Sequence, residues 1–398
     1  MNDKRTRPPI PKTVWLLGIV SLLMDVSTEM VQTLLPVYLV SGLGISAVMI
    51  GLIEGAAVTI AMVTRLFAGV LSDFFQKRKT LTLIGYGLGA LSKPLFPLAD
   101  TALGVFGAKF VDRVGKGIRS APRDAMIADV SPPEIRGASF GLRKSLDTAG
   151  GFLGPLIAIA IMLASGDNIK LVFWLAVVPA LAAIFILAWG IREPNRVGAP
   201  VPKDAPRKWT LADAARLNRG VWIVITLAML MSLARFSEAF LLLRANQTGW
   251  SLAWLPLIIV LLHLVYGMVA YPAGRLFDRI GPRGLLFWGM ACLIGADLAL
   301  AAADGPLLLV AGIALWGVHM GLTQGVLATL IAQTTPAHLK GTAFGVLSFG
   351  TAIAVLVGNL LAGVLWETAG AAYTFLAGAG LSLMACVGVV ALTSRLRD

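Results

Sequence analysis

The sequence is poor in charged residues. Aspartate, glutamate, lysine and arginine together make up 14% of its 398 residues, whereas soluble domains carry about 25%. Hydrophobic residues account for 57%, and the mean hydropathy is +0.82. This composition predicts an integral membrane protein that crosses the bilayer several times.

Several motifs that carry chemistry are missing. The sequence has no phosphate-binding P-loop, which excludes ATP as the direct energy source, and it has no H-E-x-x-H motif or Cys/His cluster for zinc. Its two cysteines, Cys292 and Cys386, lie in apolar runs and are predicted to pack as small hydrophobic residues. The net charge of +12 comes from short basic clusters between apolar runs, which does not indicate nucleic-acid binding. We therefore expect no enzyme activity and no cofactor.

Twelve stretches are long enough to cross a membrane as helices of about 20 residues. They lie at 14–40, 46–74, 80–99, 103–126, 138–164, 169–191, 219–243, 252–275, 284–303, 306–332, 341–365 and 371–394. Loops after even-numbered stretches are rich in lysine and arginine, whereas loops after odd-numbered stretches carry almost only Lys170 and Arg244. The positive-inside rule therefore predicts that both termini lie in the cytoplasm.

The chain divides into two similar halves. A basic, proline-rich segment at 192–218 predicts a cytoplasmic linker between helical bundles at 1–191 and 219–398. ADVSPPEIRGASFG at 128–141 aligns without gaps with AQTTPAHLKGTAFG at 332–345, at an offset of 204 residues. The predicted fold class is an all-α membrane protein with twelve helices in two pseudo-symmetric six-helix bundles. Transporters use this plan and bind the substrate between the bundles.

The loops carry motifs that resemble those of the major facilitator superfamily. GRLFDRIGPR at 274–283 is similar to the family's G-x-x-x-D-R-x-G-R/K loop motif, and GVLSDFFQKRK at 69–79 is a degenerate copy. RVGKG at 113–117 resembles the fourth-span R-x-x-x-G motif, and GGFLGP at 150–155 resembles the fifth-span motif of exporters. The resemblance implies transport by alternating access. It also implies gating roles for Gly69, Asp73, Gly274, Asp278, Arg279, Gly150, Gly154 and Pro155.

Charged residues also occur inside the predicted spans, where a lipid-facing helix could not carry them. Lys109, Arg113, Lys116, Arg119 and Arg123 recur every three or four positions and so form one stripe along a helix. Depth counted from the loops places further charges near the midplane, at Asp25, Glu29, Lys93, Asp112 and Asp147, with Glu54 nearer the outside. Such groups must pair, contact water or become neutral.

These charges give the first set of candidate site residues. A carboxylic acid at membrane depth suits proton coupling, which we assign to Asp25 assisted by Glu29 and Asp147. Substrate binding is assigned to Arg113 with Glu54, Lys93 and Asp112. Static ion pairs that hold helices together, for example between Asp112 and Lys116, are the alternative.

The second half adds histidine, aromatic and amide side chains to the predicted substrate-binding site. His263, Tyr266, Trp316, His319 and Gln324 could line a cavity, although a lone histidine is also a common helix contact. The internal repeat aligns four charged residues of the first half with uncharged ones: Arg113 with Gly317, Lys116 with Met320, Arg119 with Thr323, and Asp147 with Thr351. The fold alone therefore does not require those charges.

The resulting functional prediction is a secondary transporter of the bacterial inner membrane. It would export a small polar or amphiphilic solute in exchange for protons, as a monomer in the lipid bilayer and without nucleic acid. Three alternatives stay open. The substrate could be a divalent metal or its chelate, held by Asp25, Glu29, Met24 and His319, or it could be an organic anion. The chain could also be a membrane sensor that has kept the fold.

Overall fold

The computed structural model describes residues 8–75, 77–193, 217–323, 326–335 and 339–394, and the regular structure of this part is helical. The first half contains α1 (Lys12–Gln32), α2 (Leu35–Val37), α3 (Ala47–Phe75), α4 (Arg78–Ser92), α5 (Leu95–Leu98), α6 (Ala102–Val130), α7 (Arg136–Ser165), α8 (Ile169–Leu175) and α9 (Val177–Gly190). The second half contains α10 (Arg219–Ala234), α11 (Glu238–Gln247), α12 (Pro256–Ala301), α13 (Pro306–Thr323), α14 (Val326–Thr334), α15 (Lys340–Thr368) and α16 (Ala371–Ser394). The all-α prediction is confirmed.

Ten helical stretches in the described residues are long and apolar enough to span a membrane. The other two predicted spans are helical as well, but each departs from the simple pattern. α4 has only 15 residues and is followed by the short α5, because the chain turns at Lys93 and Pro94. α6 has 29 residues and carries the charged stripe, which lowers its hydropathy. Together these twelve elements account for the predicted spans.

Helices also break at two points of the second half. α10 ends at Ala234, the backbone of Arg235 is extended (φ −94°, ψ 98°), and α11 begins at Glu238 with a cap from the Ser237 side chain. Within α12 the helix is interrupted at Gly281 (φ 69°, ψ 176°), a conformation that glycine adopts without a steric penalty. Gly281 therefore separates the eighth and ninth spans.

The chain forms two compact units. One comprises Met1–Leu35 and Ile60–Pro200, and the other comprises Pro36–Thr59 and Val201–Asp398. The sequence places 36–59 in the first bundle, whereas in the structure this segment groups with the second unit. The linker at 194–216 lies outside the described residues. The core of the first unit packs α1, α4 and α9 together, and part of the core of the second unit lies between α10, α14 and α15.

Close helix contacts at glycine position the charges of the first unit. A Cβ atom at Gly85 on α4 would lie 2.7 Å from the carbonyl oxygen of Gly115 on α6, and a Cβ at Gly115 would lie 2.6 Å from the carbonyl oxygen of Gly85. Small residues allow two backbones to approach this closely. The contact, which we call the α4–α6 seam, brings the end of α4 against the charged stripe of α6.

A second close contact joins α1 and α7. A Cβ atom at Gly150 would lie 2.6 Å from the carbonyl oxygen of Leu22, and one at Gly154 would lie 2.8 Å from that of Val26. The same two positions are 3.0 Å from Cβ of Asp25 and 2.7 Å from Cβ of Glu29. Gly150 and Gly154 of the fifth span therefore place α7 in direct contact with the face of α1 that carries Asp25 and Glu29.

The segment 36–59 packs against α15 in the same manner. A Cβ atom at Gly51 would lie 2.1 Å from the carbonyl oxygen of Asn359, and one at Gly363 would lie 2.5 Å from that of Ala47. The backbone N–H of Ala47, at the start of α3, donates to the carboxylate of Glu367 over 2.9 Å. An acidic group at a helix N-terminus is favourable because it meets the positive end of the helix dipole.

Candidate functional site

A buried ion pair lies within the first unit. Nζ of Lys93 is 2.8 Å from Oδ1 of Asp112, and the side chains are 0% and 2% exposed. Lys93 also donates to Oγ1 of Thr28 over 3.2 Å, and Ser92 donates to Asp112 over 3.4 Å. The sequence offered a pair between Asp112 and Lys116 as an alternative. In the structure Asp112 pairs instead with Lys93, which follows α4, and the close contact of α4 with α6 makes this pair possible.

Two arginines of the stripe have guanidinium nitrogens that lack a hydrogen-bond acceptor among the described residues. Nε of Arg113 is 3.7 Å from Oδ2 of Asp112, which is an ion pair without a hydrogen bond. Nη1 of Arg119 is buried beside Gly89 and is also unbonded. A buried donor without a partner is costly, so each of these two nitrogens could donate to a further hydrogen-bonding partner. The substrate-binding role assigned to Arg113 stays a prediction.

Tyr86 connects the stripe to α1, and sequence reasoning missed it. The Arg119 guanidinium lies 4.7 Å from the centre of the Tyr86 ring, within cation–π range. The Tyr86 hydroxyl is 3.0 Å from Oγ of Ser21, and Arg123 donates to both groups over 3.4 and 3.0 Å. A signal was available, because Gly85 and Gly89 flank this tyrosine and indicate a close helix contact.

The three acids of the proton-coupling prediction face one region. Asp25 and Glu29 lie one turn apart on α1 and are half-buried. Asp147 on α7 bonds to Arg143 over 2.7 Å through one oxygen, while its Oδ1 has no partner among the described residues. Asp25 interacts electrostatically with Asp147 and with Lys116, and Glu29 interacts with Lys116. The structure therefore brings together acids and bases from α1, α6 and α7.

Lys109 and Glu54 are two further charged residues of the first half, and each has surroundings of its own. Lys109 on α6 is buried at 1% exposure. Glu54 belongs to the second unit, where it accepts a hydrogen bond from Oγ of Ser237 over 3.3 Å. The backbone N–H of Ser237 in turn donates to the side-chain oxygen of Asn359. Glu54 thus joins a polar contact at the break between α10 and α11.

The candidates in the second half lie in different environments. Trp316 and His319 are buried at 1% and 2% exposure, and Nδ1 of His319 is 2.8 Å from the carbonyl oxygen of Gly289. His263 and Tyr266 are half-buried on α12. Gln324 lies outside the described residues. The His319 contact joins α13 to α12, which matches the helix-contact alternative, and the substrate-binding assignment of the set stays a prediction.

Gating residues can be placed only in part. Gly150, Gly154 and Pro155 are buried within α7, and the two glycines form the contact with α1. The remaining members of the predicted gating set occur at helical positions whose side chains lie outside the described part: Gly69, Asp73, Gly274, Asp278 and Arg279. Their gating role stays a prediction.

Two other kinds of site are not formed by the described residues. They bring together no group of three or more His, Cys, Asp or Glu side chains that could hold a metal ion. Residues 137–141 spell G-x-S-x-G, a string that in hydrolases lies on a strand-to-helix turn with an exposed serine. Here Ser139 is buried at 0% exposure within α7 and follows a 3₁₀ turn, so the string is not a nucleophile elbow.

Relatives of known sequence match nearly the whole chain. An uncharacterised MFS-type transporter of Methanocaldococcus jannaschii is 28% identical over 390 residues, which cover 96% of this chain and 95% of the relative. The inner membrane transport protein YajR of Escherichia coli is 24% identical and covers 96% of this chain and 83% of its own length. The multidrug resistance protein MdtH of Salmonella arizonae is 23% identical over 87% of this chain and 84% of its own length.

Solved structures show the same fold. The crystal structure of a point mutant of the nucleoside transporter NupG superposes with a TM-score of 0.80 over 96% of this chain and 99% of that one, at 15% identity. A crystal structure of a POT family transporter in complex with 5-aminolevulinic acid gives a TM-score of 0.78 over 98% and 97% of the two chains, at 13% identity. The family model described as Major Facilitator Superfamily matches residues 17–354 and 240–398. The chain belongs to the major facilitator superfamily of membrane transporters.

Proposed function

We propose that this transporter couples the export of a small polar or amphiphilic solute to the entry of protons. It would work by alternating access as a monomer in the bacterial inner membrane, with both termini in the cytoplasm. The observation that carries the proposal is the electrostatic interaction of Asp25 and Glu29 with Lys116, and of Asp147 with Asp25, within one unit. Acids and bases in electrostatic contact at membrane depth can exchange a proton when one partner moves.

The contact between α1 and α7 supports Asp25 as the main proton carrier. Gly150 and Gly154 hold the backbones together, so that the positions of the α1 acids depend on the position of α7. Asp147 is one turn before Gly150 on α7 and interacts with Asp25. Two acids that repel each other favour binding of one shared proton, and a movement of α7 along α1 would change that preference.

The solute would be bound through the unsatisfied guanidinium groups. Arg113 and Arg119 each present a nitrogen without an acceptor in the described part of the chain. Arginine does not deprotonate readily, so its charge is constant while the nearby acids titrate. One relative is named a multidrug resistance protein, which supports export and an amphiphilic solute.

An organic anion is the second candidate substrate. The same two guanidinium groups favour it, since a carboxylate or phosphate would supply the missing acceptors. The described residues do not favour a divalent metal in the same way, because they form no cluster of metal ligands.

The test begins with a thermal-shift screen of organic cations, organic anions, metals and chelates at two pH values. Compounds that stabilise the protein are then loaded into proteoliposomes, and proton movement is followed with a trapped pH-sensitive dye. In vesicles with wild-type protein, protons should enter as the compound flows out, and Asp25→Asn should abolish this proton movement. The matched control is Asp100→Asn, which removes a surface charge paired with Lys170. Unchanged coupling in Asp25→Asn would show that Asp25 is not the proton carrier.

A further inference from the structure

Asp297 is a buried acid without a partner in the described part of the chain. It lies on α12, within the membrane-spanning stretch Ile280–Ala301, and it is 0% exposed. Neither carboxylate oxygen accepts a hydrogen bond from any described residue. In the first unit the buried Lys93 and Asp112 neutralise each other, whereas Asp297 has no such counter-charge among the described residues.

The carboxyl group of Asp297 packs against α16 and lies near the Phe236 ring. A Cβ atom at Gly378 would lie 2.9 Å from Oδ2 of Asp297 and 3.0 Å from the ring of Phe236. The carboxyl group therefore occupies the space that a side chain at Gly378 would fill. Ser382 is one helical turn further along α16, and its hydroxyl is also buried and unbonded within the described region.

The internal repeat relates Asp297 to the paired lysine of the first unit. With the offset of 204 residues, Lys93 corresponds to Asp297, and its partner Asp112 corresponds to Trp316. The two units thus have a basic residue and an acidic residue at the same position of the fold. The first unit provides a counter-charge for Lys93 at 2.8 Å, whereas the second unit has an indole at the corresponding position.

We propose that Asp297 is a proton-binding site of the second unit and holds its proton in this conformation. An ionised carboxylate in such a place would cost several kcal/mol or more, and a buried group of this kind becomes neutral instead. A hard metal ion such as Ca²⁺ needs about 6 to 8 oxygen ligands, which two carboxylate oxygens and one serine hydroxyl do not supply. A proton needs only the carboxyl group itself.

The charged groups on the helices around Asp297 do not supply it with a counter-charge. α16 has no charged residue between 371 and 390. On α11, Arg244 donates to the carbonyl oxygens of Leu300, Ala301 and Ala303 at the end of α12. On α13, His319 uses Nδ1 in its contact with Gly289, two turns before Asp297 on α12. Between α10 and α11, Arg235 precedes Phe236, whose ring lies beside Gly378, and Arg235 itself is exposed. None of these groups makes an ion pair with Asp297.

Infrared spectroscopy of the purified full-length protein tests the proposal directly. A protonated carboxyl group gives a carbonyl band above the amide I band, and this band shifts in D₂O. The difference spectrum between wild-type protein and Asp297→Asn at neutral pH should contain one such band. The matched control is Asp304→Asn, which changes an exposed aspartate of the same unit and should give no such difference. Identical spectra for wild type and Asp297→Asn would overturn the proposal.

A second measurement separates a proton from a metal cation. The spectra are repeated with sodium and potassium replaced by choline. The carboxyl band should be the same in both buffers, and a band that appears only after the alkali ions are removed would assign the site to a cation and overturn the proposal.

The pH dependence of thermal unfolding gives an independent readout. At neutral pH the folded protein would hold a proton that the unfolded chain has released, so stability should fall as the pH rises. Asp297→Asn should lose this part of the pH dependence and Asp304→Asn should keep it, whereas equal slopes in all three proteins would contradict the proposal. None of these experiments depends on proton coupling by Asp25, so the two proposals can fail separately.

Discussion

Replacing Asp112 by leucine should strongly destabilise the protein, because it removes the counter-charge of the buried Lys93 ammonium and leaves the Thr28 hydroxyl as its hydrogen-bonding neighbour. With an effective dielectric constant of about 20, a charge pair at the observed 2.8 Å attracts by about 6 kcal/mol. Part of that attraction offsets the cost of removing both charges from water. Breaking a buried pair from one side therefore costs about 3 to 5 kcal/mol net.

Replacing the other member of the pair, Lys93, by methionine should lower the free energy of unfolding by less. In Lys93→Met the carboxylate of Asp112 keeps Arg113, whose Nε is 3.7 Å away, and that pair attracts by about 4.5 kcal/mol under the same assumption. Asp112 also keeps the hydroxyl of Ser92 at 3.4 Å. We expect a loss of about 1 to 3 kcal/mol, the usual cost of leaving a buried polar group partly unsatisfied.

The double variant Lys93→Met/Asp112→Leu completes the cycle. It removes both charges and fills the space with apolar atoms, so its stability should return to within about 2 kcal/mol of wild type. The assay is the free energy of unfolding in mixed micelles of a mild detergent and sodium dodecyl sulfate. A coupling energy near zero, or a larger loss for Lys93→Met than for Asp112→Leu, would refute the reasoning.

Three further predictions use matched positions. Gly150→Val should separate α7 from α1 and abolish transport, whereas Gly151→Val points into open space and should fold and transport like wild type. Gly378→Ala should lower the thermal midpoint, because its Cβ would lie 2.9 Å from a carboxylate oxygen on α12, and Gly380→Ala, with nothing within 4 Å, should leave the midpoint unchanged. Glu367→Gln should cost about 0.3 to 1 kcal/mol at low salt through the lost helix-dipole contact and less at high salt, as measured by chemical unfolding at two ionic strengths.

Local sequence rules predicted much of this fold because a membrane restricts the choices. Backbone groups in lipid must be satisfied within a helix, so hydrophobic length alone locates most spans. The repeat at 128–141 and 332–345 predicted that the chain consists of two similar helical bundles. The spacing of Asp25 and Glu29 predicted one face, and both residues indeed lie against the glycines of α7.

The partners of the buried charges could not be predicted in the same way. The i, i+4 spacing on one helix offered Lys116 as an alternative partner of Asp112, but such spacing contains no information on which helix lies beside α6. Lys93 is 19 positions away and reaches Asp112 because α4 and α6 touch at Gly85 and Gly115. Glycine spacing was therefore the signal for the pairing.

The repeat also explains the contact that His319 makes. With the same offset, Gly85 and Gly115 correspond to Gly289 and His319. The first unit joins these positions by backbone contact, and the second unit joins them by a 2.8 Å contact between Nδ1 of His319 and the Gly289 carbonyl oxygen. A comparison of the two halves, rather than the residue type, indicates a helix-pairing role.

The α4–α6 seam has a practical consequence for measuring motion in this transporter. Two backbones that touch at Gly85 and Gly115 have no room to slide or rotate past each other without a clash, because the interlocked contacts allow only one register. The two helices should therefore keep a constant separation through the transport cycle. Spin labels on their exposed faces, for example at Leu91 and Phe110, would provide an internal ruler against which distance changes elsewhere in the protein can be calibrated.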